Sequence, residues 1–102
     1  MKIEKQLNLA SFDASDYLDS EETIAEYLSA ALENPDPDAF LMAVRDVAKA
    51  RGISTVATTA GLGRESLYKV LKPGAQPRFN TVRRLLVALG VKLDIVCLGS
   101  NL

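Results

Sequence analysis

Histidine is absent from this chain of 102 residues, and cysteine occurs once, as Cys97. Without histidine there is no imidazole base to activate a serine or a cysteine, and without a Cys/His set there is no ligand cluster for a structural zinc ion. A single thiol also excludes an intramolecular disulfide. No cofactor and no metal are therefore expected. Cys97 lies in an apolar stretch, where the expected role is that of a small buried hydrophobe. Long apolar runs are missing as well: none approaches the ~18 residues of a membrane span. The opening Met1-Lys2-Ile3-Glu4-Lys5-Gln6 lacks the apolar centre of a signal peptide. The expectation is a cytoplasmic protein with no membrane partner. Catalysis would have to rest on paired carboxylates such as Asp13 and Asp16, and a solvated acidic segment offers no dry pocket to shift their pKa values. The chain is read as not an enzyme.

Positive charge is scarce at one end and abundant at the other. Residues 1–44 hold 2 basic and 10 acidic side chains, residues 45–92 hold 10 basic and 2 acidic ones, and Asp94 completes a net charge of -1. A polyanion such as DNA is drawn to the second part, and a basic partner to the first. Apolar residues make up 48% and charged residues 25% of the chain, an ordinary globular composition. A chain of this size forms one domain, burying roughly 65% of the surface its unfolded form exposes.

Residues 1–18 show weak alternation at Ile3, Lys5, Leu7 and Leu9 and then a turn-like stretch, and are read as an extended acidic arm. A single domain is expected over residues 19–102. Asp19 or Ser20 is placed to cap a helix with Glu21 and Glu22 in its first turn and Ile24, Tyr27, Leu28, Ala31 and Leu32 on its apolar face. Asn34-Pro35 ends it. Asp36 caps the next helix with Pro37 at its first position, where the missing N–H costs nothing. Phe40, Val44, Val47 and Ala48 face the core there, and Gly52 closes the helix beside Lys49 and Arg51.

Residues 54–72 then predict helix, tight turn, helix. Ser54 is placed as the first cap, Ala57 and Ala60 are small enough for a close crossing, Gly61 permits the turn, and Leu62 plugs the corner. In the second helix Leu67, Val70 and Leu71 point inward. This leaves Glu65, Tyr68, Lys69 and Lys72 on the opposite face, with Arg64 and Ser66 on its flanks. That face has the chemistry of a DNA reader. Arg64 suits the two acceptors of a guanine edge, Glu65 the amino group of cytosine, and Ser66 a base or a phosphate, while Lys69 and Lys72 suit phosphates. Asn80 is placed to cap a further helix whose core positions are Val82, Leu85, Leu86 and Leu89, ended by Gly90. Arg78, Thr81, Arg83 and Arg84, at or near its first turn, suit a phosphate beside the reading helix.

Residues 91–98 alternate and then turn fully apolar, which predicts a β-strand. A lone strand leaves its backbone unpaired, so it needs either residues 3–9 or the same strand of a second copy. The second choice makes Val91, Leu93, Ile95 and Cys97 a homodimer interface.

The run Gly61-Leu62-Gly63-Arg64-Glu65-Ser66-Leu67-Tyr68-Lys69-Val70-Leu71, followed by Pro77, Thr81 and Leu89-Gly90-Val91, resembles the addiction module antidote proteins. These are HigA-like antitoxins with a Xre-type helix-turn-helix. Phe12-Asp13, Tyr17-Leu18 and Asn34-Pro35-Asp36 fit the same group, so the resemblance covers nearly the whole chain. It implies an all-α, lambda-repressor/Xre-like bundle of about five helices with a C-terminal strand, acting as a homodimer on operator DNA. It also implies a small basic toxin of the RelE, ParE or HigB kind, many of which are ribosome-dependent ribonucleases. The arm residues Phe12, Asp13, Asp16, Tyr17 and Leu18 become toxin-binding candidates, with the helix starting at Glu21 as the other possible contact. The glutamines common at the helix starts of Xre domains are replaced here, Gly63 and Arg64 opening the second helix, so base preference is not carried over. Two other readings keep the same scaffold: a stand-alone transcriptional repressor, for which no residues remain to build a sensing domain, and a protein-interaction adaptor with little affinity for DNA.

Overall fold

The computed structural model describes residues 19–99, and these form five α-helices. Helix α1 (Glu21–Leu32) starts at Ser20, whose hydroxyl accepts the Thr23 N–H at 3.2 Å. A cap of this kind satisfies one of the free amides of the first turn and contributes about 1 kcal/mol. Helix α2 (Pro37–Arg51) is capped by the Asp36 carboxylate, which accepts the Asp38 N–H at 3.0 Å, and carries Pro37 in its first turn. Tyr27 of α1 donates its hydroxyl hydrogen to Asp46 of α2 at 2.8 Å, tying the two helices together.

Gly52 ends α2 and at once begins α3 (Ile53–Ala60), with φ +104°, a backbone region that side chains other than glycine's rarely adopt. The cap expected of Ser54 is therefore two residues out of register: the cap position is Gly52, the helix has already begun at Ile53, and no side chain caps it. Helix α4 (Arg64–Val70) follows after Gly61, Leu62 and Gly63. Helix α5 (Phe79–Ala88) starts earlier than expected, with Arg78 at its cap position and Asn80 already inside the helix, so Asn80 makes no cap.

The core is continuous across all five elements. Ile24 and Leu28 come from α1, Val44 and Val47 from α2, Val56 and Ala57 from α3, Leu67 from α4 with Leu71 just beyond it, and Leu85 and Leu86 from α5 with Leu89 just beyond it. Fully burying a leucine such as Leu67 is worth about 2 kcal/mol, so the single buried residue of the seven-residue α4 does much to seat that helix. Leu41 and Ala43 are also buried, where only Phe40, Val44, Val47 and Ala48 were expected, and Phe40 is only partly so. Leu32, expected inside, is 52% exposed, because it ends α1 where the chain turns away from the core.

The strand expected over residues 91–98 does not form. Val91 is tucked in, its N–H donating to the Leu86 carbonyl at 3.0 Å, but Leu93, Ile95 and Cys97 are exposed, and no strand is found among the described residues. The Ile95 N–H donates to the side chain of Asp94 at 2.9 Å. A strand exists only as part of a ladder; the described chain offers this segment no partner, and residues 3–9 lie outside the described residues, as does the whole arm. For the same reason Cys97 is exposed rather than buried.

Candidate nucleic-acid interface

The corner between α3 and α4 is built by Gly61, at φ +76° in the left-handed region. Its N–H donates to the Thr58 carbonyl at 3.0 Å, and the Leu62 N–H reaches back to the Ala57 carbonyl at 2.8 Å. Leu62 packs against the core as expected. A charged group completes the corner, and sequence reasoning assigned it elsewhere. The Arg84 guanidinium of α5 donates to the Ala60 carbonyl from Nε at 2.9 Å and from Nη2 at 2.7 Å, and to the Gly61 carbonyl at 3.3 Å. Helix α3 has no basic residue in its own last turn, and Arg84 supplies the positive charge that the negative end of its dipole favours. In the free chain Arg84 is thus a clamp on the corner. No spacing rule could have found this, since its partners lie 23 and 24 residues away.

On α4 the structure sorts the expected reading face into two groups. Arg64, Glu65, Ser66 and Lys69 are exposed, as is Lys72 just after the helix, while Leu67 is fully buried beneath them. Tyr68 is only half-exposed, because the Arg45 guanidinium of α2 stands 5.9 Å from the centre of its ring. Arg45 was not singled out from the sequence, and its Nε is buried without a hydrogen-bond partner among the described residues. It adds a positive charge behind the α4 face and stiffens Tyr68 through a cation–π contact. Sequence reading had no signal for it beyond the general excess of basic residues after position 44.

On α5 Arg78 is exposed at the helix start, Thr81 is half-buried, and the Arg83 guanidinium lies 5.9 Å from the ring centre of the exposed Phe79. Arg83 and Arg84, with Thr59, Asn80 and Val87, line an open cleft of about 410 Å³ beside the α3–α4 corner. The contact of Arg84 on Ala60 thereby fixes α5 and its basic side chains against the end of α3, next to the corner from which α4 starts. The toxin-binding candidates Phe12, Asp13, Asp16, Tyr17 and Leu18 lie outside the described residues.

The acidic pole is arranged differently. Glu21 meets Arg51 at 3.5 Å, and Asp46 is held by Tyr27. Burial, the hydrogen bond to Asp46 and the nearby negative charge together push the Tyr27 hydroxyl up to about 12. The remaining exposed carboxylates of α1, Glu22 and Glu26, make no ion pair among the described residues. No group of acidic residues or cysteines suited to a metal ion is found among the described residues, and no helix there is long and apolar enough to cross a membrane.

Comparison with known proteins gives this geometry a context. Residues 8–97 match the family described as "probable addiction module antidote protein". A protein of Haemophilus influenzae strain Rd, itself uncharacterised, is 38% identical over 87 residues, covering 85% of this chain and 90% of the relative. No solved structure gives a significant match. A family match that runs from the N-terminal segment through all five helices and beyond is a match to the whole domain, and the chain is a member of the addiction module antidote protein family.

Proposed function

We propose that this chain is the antitoxin of a two-protein toxin–antitoxin module: a cytoplasmic homodimer that binds operator DNA through a Xre-type helix-turn-helix and represses its own gene. It also neutralises a small basic toxin of the RelE, ParE or HigB kind. It carries no catalytic role and needs no cofactor. Helices α3 and α4 are the helix-turn-helix, with α4 entering the major groove. Arg64, Glu65 and Ser66 meet base edges, Tyr68 lies beside them, and Lys69, Lys72, Arg78, Thr81 and Arg83 meet phosphates. Arg84 serves the same contact by fixing the angle between α3 and α5. The C-terminal segment pairs with its copy across a two-fold axis through Val91, Leu93, Ile95 and Cys97, setting the two reading helices roughly 34 Å apart. The arm residues Phe12, Asp13, Asp16, Tyr17 and Leu18 contribute to holding the toxin.

The observation that carries this reading is the exposed Arg64, Ser66 and Lys69 face on a helix seated by Leu67, in a chain of antidote family. Segregation of charge along the chain supports it, since DNA and a basic toxin need opposite signs. The test is a gel-shift titration against the DNA upstream of the gene and against a scrambled duplex, at low and physiological salt. Selective binding that weakens steeply with salt is expected. Binding to neither duplex, with or without the product of the neighbouring reading frame, sinks the DNA reading and leaves the adaptor.

A further inference from the structure

The α1–α2 turn and the loop joining α4 to α5 face each other across a groove of about 610 Å³. Its apolar lining includes Ala31, Leu32, Pro35, Phe40, Ala75 and Pro77. Leu32, at 52% exposure, is the large apolar side chain most open to solvent there. Both walls are fixed by short polar contacts. The Asp38 carboxylate accepts the Gly74 N–H at 3.0 and 3.1 Å, which pins the α4–α5 loop against the start of α2. The Asn34 side-chain carbonyl accepts the Asp36 N–H at 2.9 Å, which sets the opposite turn. A groove that is already shaped costs a partner little ordering when it binds.

Charge selects the occupant. No lysine or arginine lines the groove, whereas Asp36 and Asp38 do. From residue 19 to residue 44 the chain carries seven carboxylates and no basic side chain. Glu22, Glu26 and Glu33 are exposed and make no ion pair among the described residues. Such a surface repels a polyanion, so DNA does not fill this groove. A second copy docking by the same face would bring like charges together, a costly arrangement. What fits is a basic protein surface with a projecting apolar side chain.

We propose that this groove is the anchoring site for a basic protein partner, which seats an apolar side chain against Leu32, Phe40 and Pro77 while its lysines and arginines meet Glu26, Glu33 and Asp36. The proposal rests on the antitoxin reading, under which that partner is the toxin, and it locates a toxin contact on the folded domain in addition to the arm.

The experiment is a calorimetric titration of the full chain with the purified product of the neighbouring reading frame, at two salt concentrations. It is repeated for Leu32→Lys, for Glu33→Lys and for the arm variant Phe12→Ser with Tyr17→Ser. Leu32 lines the groove and Glu33 follows it in the chain; both are exposed, so the fold is expected to hold, and an unchanged gel shift with operator DNA checks this. Leu32→Lys is expected to weaken binding by roughly thirtyfold or more, as for an anchor residue. Glu33→Lys is expected to weaken it by about three- to tenfold, mainly through slower association and less at high salt. If the wild-type chain binds but both groove variants bind equally well, the groove proposal is overturned while the antitoxin reading stands, the arm variant then showing where the contact lies. If Leu32→Lys instead breaks up a homodimer, the groove belongs to self-association and the proposal is overturned as well. No binding by the wild-type chain overturns both.

Discussion

Arg84 shows how one side chain on α5 can hold a corner built by α3 and the residues after it. Its bonds to Ala60 and Gly61 hold the negative end of α3, and a bond from a charged donor contributes more than a neutral one, an effect moderated here by solvent access. Arg84→Ala is expected to cost about 1–2 kcal/mol of stability, measured by urea unfolding. Arg84→Lys should recover only part of this, since an ammonium lacks the planar fork that reaches Nε and Nη2 partners at once. Tyr27 gives a pH prediction. Its folded-state pKa is pushed up to about 12 from 10.0, so the folded chain keeps the hydroxyl proton where the unfolded chain has lost it. Stability from the Tyr27–Asp46 contact is then fully present below about pH 10 and is lost as pH rises towards about 12. Tyr27→Phe should cost about 1 kcal/mol at neutral pH and should flatten that alkaline slope; an unchanged slope in denaturant titrations across this range would rule out Tyr27 as its source.

At the scale of the element, α4 is a short helix with an inward anchor, Leu67, and an outward face of charged and polar groups. Under the proposed function Arg64→Ala should cost about 1–3 kcal/mol on operator DNA and relax preference at one base pair. Binding curves on single-site operator variants would show this directly, and an equal loss on random duplex would mean that Arg64 meets phosphate alone. The limits of α1 and α2 and the end of α3 were legible in the sequence because their signals are local. A Ser or Asp oxygen three residues or fewer from a free N–H, a proline in the first turn and a glycine at the end act within one helical turn. The starts of α3 and α5 were misplaced for the same reason. Ser54 and Asn80 have the right chemistry for caps, but Gly52, at positive φ, and Arg78, in extended backbone, already hold the positions from which packing of Ile53 and the Val82–Leu86 face starts each helix.

At the scale of the whole molecule, the C-terminal segment exposes Leu93, Ile95, Val96 and Leu98, for which the described chain has no cover. Ile95 is 94% exposed, and Val96 and Leu98 nearly as open. Under the homodimer proposal, Ile95→Lys should shift the chain to a monomer in sedimentation equilibrium, and operator affinity should fall by about a hundredfold or more once two half-sites no longer bind together. A dimer that survives the substitution would place the interface elsewhere. The sequence by itself determined the order of the five helices, most of their core positions, the Gly61 corner and the separation of charge, since all of these follow from spacing and side-chain chemistry along the chain. Only the tertiary structure decided that Arg84 closes the corner, that Arg45 backs Tyr68, that Leu32 opens onto a groove, and that residues 91–98 find no ladder within the described chain. Each of these depends on the angle and distance at which elements far apart in sequence meet, and packing of the common core sets both.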